Sequence, residues 1–230
     1  MCIGDWEPEI TQRTFPLMKH YAQKIGADFW HINERKYPDC PIGYERFQIY
    51  DIANEYDWII QLDADLVMHP DMPDVTVLVN KDTVLISRPD FSTKRFIADK
   101  YFYRDGRFIS VPGFFTVTSD WCQDFWKLPD DLTPKQAIAQ VTPLQHEWDR
   151  WEKKLVDGSH LVVDYIWSRN LARYGLKYRT FQEFFVPPLL NPIEDYVMHN
   201  SNLPVHHKRQ HVINVVEKYW KINLAEPPFI

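Results

Sequence analysis

The run Trp58-Ile59-Ile60-Gln61-Leu62 stops abruptly at Asp63-Ala64-Asp65, and this stop constrains the chain more than any other feature. A short apolar run of this kind reads as a buried strand. Upstream of it, Leu17, Met18, Tyr21, Ala22 and Ile25 recur at helical spacing. That helix is expected to start near Thr14 or Phe15, with Pro16 in its first turn, and to end at Gly26. Phe29 to Ile32 reads as a strand, and Tyr44 to Glu55 as a second helix with Phe47, Tyr50 and Ala53 on one face. Helix, strand, helix, strand is the rhythm of a parallel α/β sheet.

Downstream, Thr83 to Ser87 and Phe114 to Thr118 are expected strands, and 119–127 a short helix. Segment 134–156 reads as helix interrupted at Pro143, Val162 to Tyr174 as helix, and Lys177 to Phe181 as strand. Val186-Pro187-Pro188 ends regular structure. Tyr196-Val197-Met198 is a last strand leading to His199, followed by a polar, basic stretch and a tail. No repeat or linker interrupts the 230 residues, so a single α/β domain over 1–230 is expected.

Composition narrows the partners. A formal charge of −6 argues against broad binding to nucleic acid or anionic membrane. Cys2, Cys40 and Cys122 form no CxxC pair, which points away from zinc and disulfides and toward a reducing, cytoplasmic setting. No apolar run approaches the ~18 residues of a membrane span. Most of the 9 Trp, 12 Tyr and 14 Phe are expected in packing rather than in ligand stacking.

The chemistry centres on the two aspartates. In an extended chain residues two apart share a side, so Asp63 and Asp65 would present both carboxylates to one point. Oxygen ligands of that kind suit Mg²⁺ or Mn²⁺ with positions left for water and phosphate. Ligands of open parallel sheets gather at the carboxyl ends of strands, where this pair falls. The plainer reading is that the aspartates merely end a strand and cap the segment after it.

From Arg46 to Val67 the chain resembles the defining segment of GT-A glycosyltransferases: a basic residue on a helix, Tyr56-Asp57, an apolar strand, then Leu62-Asp63-Ala64-Asp65. Met18 to Phe29 is similar to that family's first helix and second strand. The resemblance covers roughly the first third of the chain well, and the remainder at scattered positions. It implies a mixed, mostly parallel Rossmann-like sheet flanked by helices, with the donor and metal half in about 1–120 and acceptor-side elements in about 121–230. It further implies transfer of a sugar from a nucleotide-diphospho-sugar, a UDP-sugar being favoured, to the hydroxyl of a glycan, protein or small molecule.

Carried over residue by residue, the resemblance makes Asp63 and Asp65 metal ligands, with Asp63 also toward the donor, and His199 the third ligand. His206 and His207 are rivals to it. Asp5 falls at the nucleoside contact and Arg46 at a basic donor contact, where a guanidinium can chelate phosphate. Arg46 equally reads as a solvated helix-surface residue. Gly113, in Val111-Pro112-Gly113-Phe114-Phe115, matches the floor of the sugar pocket, or is a simple turn. Asp164 matches a carboxylate that binds sugar hydroxyls or deprotonates the acceptor, or is a helix cap. Lys208 would reach the phosphates but comes late, since the family's Gly-then-Lys continuation is replaced by Asn200-Ser201-Asn202-Leu203-Pro204. The cluster His206, His207, Lys208, Arg209 and His211 either neutralises a diphosphate or forms a solvated loop.

Three other readings compete. A haloacid-dehalogenase-type phosphatase also carries Asp-x-Asp, but wants Thr or Ser soon after, where this chain has Leu66-Val67-Met68. A sugar nucleotidyltransferase wants a Gly-rich, Lys-containing first loop, where this chain has Gly4-Asp5-Trp6-Glu7-Pro8. A catalytically inactive sugar-binding scaffold would keep the fold without turnover.

Overall fold

A computed structural model describes residues 7–87, 114–141, 162–184, 197–199 and 204–224. They divide between two compact units, each stitched from separate stretches of chain. The first gathers 7–34, 62–78, 197–199 and 204–224; the second gathers 35–61, 79–87, 114–141 and 162–184.

The second unit carries a four-stranded sheet of β1 (Trp58–Leu62), β3 (Thr83–Ile86), β4 (Phe115–Ser119) and β5 (Lys177–Thr180) in the order β1-β4-β3-β5. These runs lie within a residue of where the sequence reading puts them. Strand β3 pairs antiparallel with β4, Leu85 facing Val117, and parallel with β5, Leu85 facing Arg179. The sheet is therefore mixed, as expected, with one antiparallel and one parallel pairing about β3.

Aromatic packing holds this unit together. Trp167, on the helix Val162–Arg173, stacks on Phe125 at 5.2 Å and meets Trp126 edge-on at 5.3 Å. Both partners lie in the 3-10 segment Asp120–Trp126, which begins as β4 ends. Trp126 donates its indole N–H to Thr118 Oγ1 at 2.8 Å, so the buried ring keeps a satisfied donor. Asn170 donates to the carbonyls of Phe125 and Lys127, tying helix to 3-10 segment. Ile42–Asp51, expected as an α-helix from Tyr44 to Glu55, is a run of 3-10 turns. Gly43 there meets Val163 so closely that a Cβ would lie 2.9 Å from Val163 Cγ2.

The first unit is built on α1 (Pro8–Lys24), which starts six residues earlier than Thr14. Pro8 fills the first turn, and Pro16, expected there, lies inside the helix. An internal proline removes one helical hydrogen bond, and the packing of Ile10, Leu17, Met18 and Tyr21 outweighs it. Phe29 to Ile32, the expected second strand, joins no ladder among the described residues. Phe29 and His31 instead turn their rings onto Phe15 of α1, at 5.9 and 5.0 Å, leaving Trp30 61% exposed.

After β1 the chain turns into β2 (Leu66–Met68), which pairs antiparallel with β6 (Val197–His199). The basic stretch beyond is helical rather than a loop: Val205–Ile213 runs on into the π-helical Asn214–Tyr219. Val212, Val215 and Val216 from it close a core with Ile10, Leu17 and Val67. Pro134–Val141 is helical as expected, while the stretch from 142 to 156 lies outside the described residues. No helix among the described residues is long and apolar enough to cross a membrane.

Candidate functional site

Asp63 comes directly after the last residue of β1, and from there the chain does not run extended. The amide of Leu66 donates to Asp63 O at 3.0 Å, closing a four-residue turn over Asp63-Ala64-Asp65-Leu66. Buried Thr14 of α1 donates its hydroxyl to Ala64 O at 2.7 Å. The small residue between the aspartates is thus pinned to the first helix. The two carboxylates stand at the first and third positions of a turn, so the side-sharing argument for an extended chain does not describe them. Sequence reasoning did not single out Thr14; a buried polar residue on the apolar face of α1 was the available signal.

Asp65 is 6% exposed and Asp63 half-buried. Burying an ionised carboxylate is costly unless a counter-charge accompanies it. Lys208 supplies one: its ammonium donates to Asp65 Oδ2 at 2.6 Å, with the lysine side chain 18% exposed. The next residue, Arg209, clasps Glu7 Oε2 through Nε at 3.0 Å and Nη2 at 2.7 Å. Glu7 precedes α1 with a left-handed φ of 44°, so its backbone strain is held by this clasp. The helix bearing Lys208 and Arg209 is therefore fastened both to the aspartate turn and to the start of α1. His206 and His207 on the same helix are exposed, their rings 4.1 Å apart.

Strand register brings a further predicted residue close. His199 stands across from Leu66, the neighbour of Asp65, in the β2/β6 ladder. Asp63, Asp65, the His199 backbone and Lys208 all belong to the first unit. Among the described residues no three His, Cys, Asp or Glu side chains converge as a metal-holding group. The oxygens that a hard divalent cation would take are the carboxylates at this turn, and one of them is held by the Lys208 ammonium.

Arg46 and Asp164 belong to the second unit. Arg46 is half-buried, with its guanidinium 5.9 Å from the centre of the Trp167 ring, so it is not a freely solvated surface arginine. Asp164 is the third residue of Val162–Arg173, inside the first helical turn rather than at the cap, and half-buried. A carboxylate there is favoured by the helix dipole. Asp5 and Gly113 lie outside the described residues.

Comparison with protein-family models, with curated proteins and with solved structures finds no match for this chain.

Proposed function

We propose that the chain is a metal-dependent glycosyltransferase of GT-A type, moving a sugar from a nucleotide-diphospho-sugar to an acceptor hydroxyl. The observation that carries this reading is the Asp63-Ala64-Asp65 turn at the carboxyl end of β1, with buried Asp65 facing a cation. Thr14 pins the backbone between the two aspartates, which supports reading the turn as a preorganised site.

Asp63, Asp65 and His199 would hold Mn²⁺ or Mg²⁺, which when bound neutralises a departing nucleoside diphosphate. Lys208 is the cationic side chain that would bind and orient phosphate oxygens, and Arg46 keeps the basic donor contact that the resemblance implies. Asp5 and Gly113 serve the nucleoside and sugar ends of the donor. Asp164 orients the sugar hydroxyls or takes the acceptor proton. Free thiols at Cys40 and Cys122 suit a reducing compartment, which supports a cytoplasmic location.

The test is nucleotide release from a panel of nucleotide sugars, UDP-sugars first, with Mn²⁺ and candidate acceptors. Turnover should require the cation, and Asp164→Asn should lower it by about 10²–10⁴-fold if the carboxylate is the base. Consumption of a nucleoside triphosphate with a sugar 1-phosphate, releasing pyrophosphate, would instead make the chain a nucleotidyltransferase. Saturable binding of donor with no turnover would make it a scaffold.

A further inference from the structure

Lys208 is carried 143 residues downstream of Asp65, on a helix otherwise anchored by Arg209 to Glu7 and by Val212, Val215 and Val216 to the core. The helix is thus positioned by contacts that do not involve Asp65. A lysine side chain is a flexible stem with a strongly hydrated point charge, able to leave one anion for another without moving its backbone. A divalent ion bound through Asp65 would face that ammonium at close range, and two cations on one carboxylate oxygen repel.

We propose that Lys208 is a placeholder cation. In the metal-free chain its ammonium holds the charge on buried Asp65, and metal entry requires it to leave. This rests on reading Asp63-Ala64-Asp65 as a cation site. The exchange has two consequences. Lys208 weakens binding of the bare metal, and the displaced ammonium becomes available to a diphosphate, so metal and nucleotide each tighten the other by the same factor. The lysine then biases the site toward binding both together rather than metal alone.

The experiment is calorimetric titration of MnCl₂ into the full chain, with and without UDP, for wild type, Lys208→Met and Arg209→Met. Without UDP, Lys208→Met should bind Mn²⁺ about 10–100-fold more tightly than wild type, from loss of a like charge at contact range. Arg209→Met removes the same charge from the same helix but not from Asp65, and should change the affinity less than ~3-fold. The factor by which UDP tightens Mn²⁺ should shrink in Lys208→Met.

Equal or weaker Mn²⁺ binding by Lys208→Met, in a wild type that binds Mn²⁺ with UDP, overturns the placeholder role and leaves the functional reading standing. No Mn²⁺ binding by either protein, with or without UDP, overturns both. UDP binding by wild type that needs no Mn²⁺ and is lost in Lys208→Met would also overturn the exchange, since the lysine would then be the permanent cation of the site. If the methionine variant does not fold, Lys208→Gln removes the charge while keeping a donor for Asp65, and the same direction is expected.

Discussion

Glu45 in the second unit and Asp65 in the first are both buried carboxylates, at 0% and 6% exposure, and their counter-charges come from opposite distances along the chain. Glu45 accepts from Arg35 Nε at 2.7 Å, from the Lys36 and Tyr37 amides and from Gln48 Nε2, all within ten residues. Asp65 takes its ammonium from 143 residues away. Glu45 binds its own loop, including two backbone amides that cannot leave without unfolding it. Asp65 is paired with a side chain that can depart while its helix stays. The comparison teaches that burial alone does not mark a functional carboxylate; the exchangeability of its partner does.

The largest effect expected from this contrast is on stability. Glu45→Ala takes the acceptor from Arg35 Nε and from two amides, while Arg35 Nη2 keeps its carbonyl partners, and should cost about 3–5 kcal/mol in denaturant unfolding, at roughly 1–3 kcal/mol for each group left unsatisfied. Mn²⁺ should restore none of it. Lys208→Met should cost less, about 1–3 kcal/mol in the absence of metal, from removing the counter-charge of one buried anion. Saturating Mn²⁺ should recover much of that loss. Recovery of the Glu45 variant by Mn²⁺, or failure of the Lys208 variant to recover, would break the contrast.

The smallest expected effect separates the units by pH. Burial pushes Glu45 up, but Arg35, the Lys36 amide, Gln48 and the Tyr37 amide together hold it below its ordinary value. Its contribution is therefore present above the ordinary glutamate range and is lost as pH falls through the lowered value. In the first unit burial pushes His69 below its ordinary value, with Asp71 opposing and Lys24 adding. There the unfolded chain takes up the proton first, so stability drops as pH falls from about 6.5 toward the lowered value. His69 packs edge-on against Trp220 at 4.8 Å. Trp220 fluorescence should report a loss under ~1 kcal/mol between neutral and mildly acid pH, flattened in His69→Gln. A slope unchanged in His69→Gln would assign it elsewhere.

Strands β1, β3 and β4 of the second unit were legible because they are apolar runs with clear ends, Trp58–Leu62 stopping at an aspartate and β3 and β4 buried along their length, whereas β5 is a polar and largely exposed run. Strand direction was not legible, since antiparallel β4 looks in sequence like any buried strand. Phe29 to Ile32, expected as a strand, instead sets the rings of Phe29 and His31 on Phe15. At the candidate site, the aspartates stand out in sequence by residue type and by their place after an apolar strand. Their turn did not, because it is fixed by Thr14 fifty residues away. Lys208 was visible as a late-placed candidate phosphate contact within a basic cluster; its pairing with Asp65 is a tertiary fact that spacing cannot reveal.

The central claim is that Asp63 and Asp65 hold a divalent cation together with a nucleoside diphosphate. Electron paramagnetic resonance of free Mn²⁺, titrated into wild type and Asp63→Ala with excess UDP, tests it most directly. Asp63 is chosen because its removal leaves the carboxylate that Lys208 holds in place, so the loss is not confounded by stranding that ammonium. The account predicts saturable Mn²⁺ binding by wild type, weakened in the variant by more than ~100-fold, beyond what loss of a merely supporting residue costs. Equal Mn²⁺ affinity in the two proteins would contradict it.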